Sequence, residues 1–459
     1  MSFAGLNVGL SALYAQRRGL EVAGQNLANA NTEGYTRQRV KLESDGGPVI
    51  PAVWSRWEGA GNGVDVVGVQ RMRDVFLESR SLQERGNEQA LRTGQTAFSR
   101  IEDMLGEPGP SGLQAQFSEF WSGWDDVANR PTDLAARSQL LERATTLADG
   151  LNRVAAQLDR QWSGSHEQLV GTVDQVNATA MDVAELNRAI ATATRSGLSP
   201  NDLTDQRDVL VQNLAGMAGV TIRQGDAGAV DVYLQGSALV RGAEAQALRV
   251  EGVAQLSSPA QPITVVWAAD DRVASVSGGQ IGGLLTTLND VIPRYRDGMD
   301  TVAVALRDIV NTGQAAGFVA AGTAGQPFFT GTAAADLTVA LTAPEQVAAS
   351  ATVGGGRDGS NAGALAERGA ELAGPDQIYR SLVVRLGVEG QTAARRVEIQ
   401  AGITTQVDAA REAESGVNLD EEMVSMLSYQ RAYEGAARYI TAVDQMLDTL
   451  INRTGQVGR

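Results

Sequence analysis

Three aspartates recur at helical spacing in the stretch "SPNDLTDQRD": Asp202, Asp205 and Asp208. Carboxylates three residues apart share one face of a helix, where they can hold a hard cation or share a proton. The same stretch also has a structural reading. Ser199 can cap, Pro200 suits the first helical position, Asp202 completes an S-x-x-D box, and Arg207 can neutralise a neighbouring aspartate. That simpler use is the one expected. His166 is the only histidine, so histidine pairs and histidine-rich metal sites are impossible, and no GxSxG elbow accompanies it. It lies in the soft patch "QWSGSHEQ" and reads as a solvated surface residue. "GAGNGVD", Gly59–Asp65, has closely spaced glycines but no following helix, so a turn or hairpin is expected there instead of a phosphate cradle. The absence of cysteine excludes disulfides and thiolate sites. No catalytic, cofactor-binding or metal site is expected.

What remains is the chemistry of association. Phe3, Leu6, Leu10, Leu13, Arg17, Leu20, Gly24 and Leu27 are spaced as a heptad seam with leucine at every d position. Each leucine gains roughly 1.5–3 kcal/mol if fully buried, but only against a partner. The other end of the chain supplies a candidate. "SGVNLDEEMVSMLSYQRAYEGAARYITAVDQMLDTLINR" opens with Asn418 as N-cap, Glu421 completing a capping-box pattern, and acidic residues in the first turn. Met423, Met426, Gln430, Tyr433, Ala437, Ile440, Val443, Leu447 and Leu450 then form a seam that slips once near Val443, with Leu427 flanking it. From Leu419 to Ile451 it would make a rod of roughly 50 Å.

Between these ends a long apolar stripe predicts helix from about Thr132 to Ser196, and another from about Pro375 to Glu414, where Gly387 and Gly390 weaken the pattern. A third helical stretch runs from about Gly282 to Thr312. Strand alternation is concentrated in the middle: Val220 and Ile222, a turn through Gln224–Gly228, then Val230, Val232 and Leu234, and later Ile263, Val265 and Trp267. The Gly/Ala/Thr-rich residues Gly313–Gly363 read as loops with a few short strands. The fold class expected is mainly α with a β-containing middle region. Its domains would be discontinuous: residues 1–45 with 412–459 as a terminal coiled-coil assembly domain, 46–198 with 364–411 as a helical stem, and 199–363 as a mixed α/β region with hairpins and a reduced outer part.

The net charge of −16 arises from 38 basic against 54 acidic residues. Lys41 is the only lysine, and no basic cluster tracks a phosphate backbone, so nucleic acid is not an expected partner. The N-terminal residues lack a basic leader, and no run approaches the roughly 20 apolar residues of a membrane span, so neither a Sec signal peptide nor membrane insertion is expected.

"NLANANTEGYTRQRV" marks where the first helix should stop. Asn29 and Asn31 can bond their own backbone and tolerate left-handed geometry; Gly34 supplies a turn. Tyr35, Arg37 and Arg39 then alternate with Thr36, Gln38 and Val40, and the aromatic and cationic face is expected to meet an adjacent subunit. Both ends, about 1–45 and 412–459, are expected to be largely unfolded or loosely helical until assembly orders them.

The stretch "GLNVGLSALYAQRRGLEVAGQNLANANTEGYTRQRV" resembles the N-terminal signature of bacterial flagellar rod, hook and hook-associated proteins. "SPNDLTDQRDVLVQNLAGMAGVTI", "SGGQIGGLLTTLNDVIPRYRDGMD" and the C-terminal block narrow the resemblance to hook-associated proteins of the hook–filament junction. The resemblance implies a structural subunit that self-assembles in a helical ring, with paired terminal helices lining a tube. It also implies three partners: the flagellar hook protein, the second hook–filament junction protein and a cytoplasmic export chaperone. Export would proceed through the flagellar type III apparatus without a cleaved signal peptide, to an extracellular place in the flagellum. The chain is short for that family, and a larger outer domain is expected to be reduced or missing around Gly313–Gly363. The alternatives are another axial protein (hook subunit or second junction protein), or a secreted enzyme with its activity in the middle region.

Overall fold

The computed structural model describes residues 4–46, 61–256 and 259–450. Phe3, the first two residues of the Gly59–Asp65 stretch, Ile451 and the tail after it lie outside these. Helix α1, Ala4–Ala28, and helix α10, Leu419–Asp448, pair at one end of the molecule. Gly5 faces Val443, Gly9 faces Ile440, Gly19 faces Tyr429, and Asn26 bonds Glu422. Numbers fall along α10 as they rise along α1, so the helices run antiparallel. Asn418 caps α10 by accepting from the Asp420 and Glu421 amides, as the sequence suggests, and the acidic first turn complements the helix dipole.

Strands β1, Gln38–Asp45, and β2, Gly63–Arg71, form an antiparallel hairpin with a bulge at Lys41/Leu42. It lies against α1, and Gly63, at φ +115°, lets the chain pass the Ser11 hydroxyl.

The stem is a bundle built on α4, Leu134–Arg195, which buries Leu140, Leu147, Leu151, Leu158, Leu169, Val173, Val176 and Val183 along one stripe. Its soft patch does not break it. Trp162 is buried there, donates its indole N–H to the Leu288 carbonyl at 3.0 Å and stacks on His166. Helices α2, Val75–Leu105, and α3, Leu113–Asn129, complete much of the bundle with α9, Pro375–Ser415, which runs unbroken through Gly387 and Gly390. Gly390 sits against the Glu102 side chain of α2, so a missing side chain there serves packing. Helices α5, Asn201–Ala218, α6, Gly279–Thr286, and α7, Ile292–Ala316, join the same bundle. The last two are joined by a wide π-helical turn, Thr287–Val291. One continuous core takes in Leu82, Leu214, Ile281, Leu306 and Leu386 together with Val232, Leu239 and Val265, so these three helices pack with the stem as well as with the middle region.

Two small antiparallel sheets lean on α4. The first has the order β3 (Thr221–Gln224), β4 (Val230–Leu234), β5 (Ser237–Arg241) and β6 (Glu244–Ala245). The second pairs β7 (Leu248–Glu251) with β8 (Thr264–Trp267). Each is clamped by one asparagine of α4. Asn187 bonds both the N–H and C=O of Val230, and Asn177 those of Leu248.

The Gly313–Gly363 stretch holds only two-residue strands, β9 (Phe329–Thr330) and β10 (Thr338–Val339), as expected. It is not pendant, however. Phe328, Phe329, Leu337, Val347 and Ala348 are buried, and Phe328 and Phe329 pack on Phe120 and Trp124 of α3. Helix α8, Ser360–Glu367, closes this end.

Candidate functional site

The polar residues singled out in the sequence converge where the terminal pair meets the stem. Asn26, in the last turn of α1, is 1% exposed. Its amide nitrogen donates to the Gln38 carbonyl at 2.9 Å and to Glu422 Oε2 at 3.1 Å. Its oxygen accepts from the Gln38 N–H at 3.0 Å and the Tyr35 hydroxyl at 2.8 Å. The side chain thus uses all four of its hydrogen-bonding positions. Glu422, 3% exposed, receives Arg37 Nε at 2.7 Å on its other oxygen, while Arg37 Nη1 reaches Glu421 at 2.8 Å. The Arg37 backbone donates to the Ser415 carbonyl and accepts from the Met72 amide. One residue therefore ties the end of α9, the start of α10 and the base of the hairpin together. Burial alone would lower the Arg37 pKa, but its bonds to Glu421 and Glu422 raise it. Burial, then the nearby Asp205, Asp202 and Glu422 charges, push the Tyr35 hydroxyl up to about 12, so it remains a donor to Asn26.

A second cluster secures the hairpin to α5. The nearly buried Arg71 guanidinium lies 2.8 Å from Asp205 and 2.6 Å from Asp208, and it donates to the Thr36 hydroxyl at 3.0 Å. Arg207 takes the other oxygen of Asp208 at 2.7 Å and donates to the Gly228 carbonyl at 2.8 Å. Burial raises the Asp205 pKa more than Arg71 lowers it. Asp208 is penalised by burial too, yet Arg207 and Arg71 together hold it below the usual carboxylate value. The two aspartates are thus anchors for arginines. Asp202, the third, is exposed and only adds to the negative field on Tyr35. The capping role of Ser199 is corrected. Pro200 is the N-cap and makes no side-chain cap, because Ser199 stands one residue too early for its hydroxyl to reach the first free amides.

Gly34 makes the expected turn, at φ +79°, and does so against α5: a Cβ there would stand 2.3 Å from Val209 Cγ2. Asn29 ends α1 as read, with its side chain donating back to the Gln25 carbonyl and accepting from Thr32. Beside this turn a cleft of about 650 Å³ opens between Tyr35 and α5, rimmed by Glu33, Asp202 and Asp205.

Within the chain, Tyr35 and Arg37 bond Asn26, Glu421 and Glu422, and Arg39 alone of that face is exposed. The leucine seam is not what pairs α1 with α10. The contact face of α1 consists of Gly9, Ala15, Gly19, Val22, Ala23 and Asn26, whereas Leu6, Leu13 and Leu20 are half-buried and Leu10 and Leu27 exposed. On α10, Met426, Ile440 and Leu447 are half-buried toward α1. Met423, Leu427, Tyr433 and Leu450 are exposed. Small residues let the backbones approach closely, and that turns the larger apolar side chains outward. Helices α1 and α10 are paired in the single chain and leave an open outer face.

The paired terminal helices, joined by a polar knot to a helical stem, are the segments that match flagellar axial proteins. Residues 6–36 match the family described as flagella basal body rod protein, and residues 411–453 the flagellar basal body rod FlgEFG protein C-terminal family. The flagellar hook-associated protein FlgK helical domain matches residues 98–329, half of the chain, and the chain belongs to the FlgK, or hook-associated protein 1, family. Flagellar hook-associated protein 1 of Bacillus subtilis (strain 168) is 28% identical over 100% of this chain and 99% of its own length. Its counterpart in Escherichia coli (strain K12) is 30% identical over 71% of this chain but only 59% of its own length. Among solved structures, the flagellar hook junction protein FlgK from Burkholderia pseudomallei shares the fold, with a TM-score of 0.63 and 17% identity over 74% of this chain and 100% of that one. This chain is a structural protein of the bacterial flagellum, of the hook–filament junction.

Proposed function

We propose that copies of this chain assemble in a helical ring through the outward apolar face of the terminal pair. Leu10 and Leu27 of α1, with Met423, Leu427 and Tyr433 of α10 and Leu450 just beyond it, supply that face. Leu6, Leu13 and Leu20, half-buried along the edge of the pair, and Met426, Ile440 and Leu447 of α10 flank its glycine and alanine contact. Asn29, Gly34, Tyr35 and Arg37 set its angle on the stem. The observation that carries this reading is the exposure of large apolar side chains such as Met423 (55%) and Leu10 (47%) on both helices of the pair. Exposed apolar surface, where it is contiguous, marks an interaction site.

The ring would sit between two neighbours of the same axial class, the hook protein on one side and the second hook–filament junction protein on the other. Before that, a cytoplasmic export chaperone would cover the C-terminal helix, and the chain would leave without a cleaved signal peptide. The role is architectural and non-catalytic: the buried Asp205 and Glu422 and the partly buried Asp208 at the joint are each engaged by an arginine. Purified protein added to isolated hooks and imaged at their distal ends tests the proposal. A new ring of density that depends on both termini is expected. Hooks left bare, or capped equally well by a chain lacking α1 or α10, would overturn it.

A further inference from the structure

We infer that the Asn26–Glu422 contact is a register key, a buried polar pair that admits one alignment of α10 along α1 and only the α10 of the same chain. The apolar surfaces alone are permissive. The α1 face repeats small residues at Gly5, Gly9 and Gly19, and α10 answers with Val443, Ile440 and Tyr429. A slip of seven residues toward the C-terminus of α10 would again bring apolar side chains, Leu450, Leu447 and Ala436, over Gly5, Gly9 and Gly19, whereas the opposite slip already sets Glu422 over Gly19. The polar pair does not survive it. Seven residues either way from Glu422 stand Ser415 and Tyr429, neither of which offers the Asn26 amide a carboxylate. Asn26 and Glu422 would then each be buried without the other, the costly state for a hydrogen-bonded ion and its partner. Fixing register is the best-attested use of such a buried polar group.

The topology makes the key specific to one chain. Only residues 416–418 separate α9 from α10, and the Arg37 amide bonds the Ser415 carbonyl at the start of that connection. Glu422 is thereby delivered beside Asn26 of its own chain, where Arg37 closes on it from the other side at 2.7 Å. The consequence reaches the outer surface. With one register, Leu10, Leu27, Met423 and Leu427 are presented in one fixed pattern; with several, copies would differ in the face they offer. The inference concerns the free chain, so its failure and the failure of ring assembly are read separately.

The chain contains no cysteine, so introduced pairs report register cleanly. A Cβ at Gly9 would lie 2.6 Å from Ile440 Cγ1, which puts Gly9→Cys with Ile440→Cys within disulfide reach. Gly9→Cys with Tyr433→Cys or with Leu447→Cys, each combined with Ile440→Ala so that the new Cβ meets no clash, reports a slip of one heptad. Under mild oxidation of the purified full chain, only the 440 pair should close, and within monomers on non-reducing electrophoresis. In an Asn26→Leu, Glu422→Leu background the off-register pairs should close about tenfold faster than in the parent. Glu422→Gln, which keeps an acceptor for Asn26, should restore closure at 440 alone. The inference is overturned if the doubly apolar chain still closes only at 440. It is equally overturned if that chain closes at none of the three, because the cluster would then hold the helices without choosing their alignment.

Discussion

Arg71 Nε and Asp205 Oδ1 lie 2.8 Å apart in an environment that leaves each side chain at most a tenth exposed. They meet as an ion pair off the hydrogen-bond line, and Arg71 gains its aligned bonds from Asp208 and Thr36 instead. Removing the cation leaves the buried Asp205 without its ion partner and Asp208 hydrogen-bonded by Arg207 on one oxygen only. Arg71→Met should therefore cost about 3–5 kcal/mol, the range for breaking a buried pair from one side. Arg71→Lys should recover little, because a single ammonium cannot span both aspartates and the hydroxyl. Denaturant unfolding of the two variants checks this, and a shift no larger than that of a surface substitution would refute it.

The two aspartates of this cluster differ in sign. Asp208 has a depressed pKa in the folded chain, so it contributes stability that is present above its unfolded value, near 3.8, and lost as pH falls through the folded value. Asp205 is raised, chiefly by burial, so its contribution runs the other way: present below 3.8 and lost as pH rises through its folded value. At neutral pH Asp208→Asn should accordingly destabilise more than Asp205→Asn. The deficit of the Asp208 variant should shrink as pH is lowered through the folded pKa of that group. Unfolding midpoints of both variants from neutral to acidic pH test this, and equal deficits across the whole range would contradict it.

What the sequence displays and what it hides can be argued from these residues. The long stripe of α4 and the alternation of β3, β4 and β8 are visible because large apolar side chains mark them at fixed period. The cap at Asn418 and the turn at Gly34 are visible because few residue types can do those jobs. Helix α2 is hard to read because its buried positions include Ser81, Gly86 and Ala97, which carry little hydrophobic signal. The aromatic run of α3, with Phe117, Phe120, Trp121 and Trp124, did carry one. The face joining α1 to α10 is built of glycine and alanine, so the eye is drawn to the leucines that face away from it. Asn26, the centre of the joint, meets Glu422 across 396 residues of chain, and no local pattern announces such a pairing.

Gly34 combines two constraints that a side chain would violate separately. Its φ of +79° is left-handed, and its Cβ position is occupied by Val209. Gly34→Ala should lose about 1–2 kcal/mol from the backbone and about 1–3 more from overpacking. Adding Val209→Ala relieves only the second part. A double variant as stable as the parent in thermal unfolding would show that the backbone conformation carries no cost. Hydrogen exchange at residues 35–40 should rise in the single variant, since the turn aims Tyr35 and Arg37 at their partners.

The two faces of the terminal pair should respond oppositely to substitution. Leu10→Ser with Leu427→Ser alters only exposed side chains, so the unfolding of the free chain should move by no more than about 0.5 kcal/mol. Binding to hooks should nevertheless be lost, because those residues belong to the outward face. Gly9→Leu does the reverse: its side chain would enter the space of Ile440, forcing α1 off α10. Hydrogen exchange across 4–28 and 419–448 should rise in the free chain before any neighbour is involved. If the serine pair caps hooks as well as the parent, the outward leucines are not the assembling surface. The ring would then have to be built from the stem, whose exposed residues on α9, Val384, Val388 and Ile399, offer the next apolar stripe.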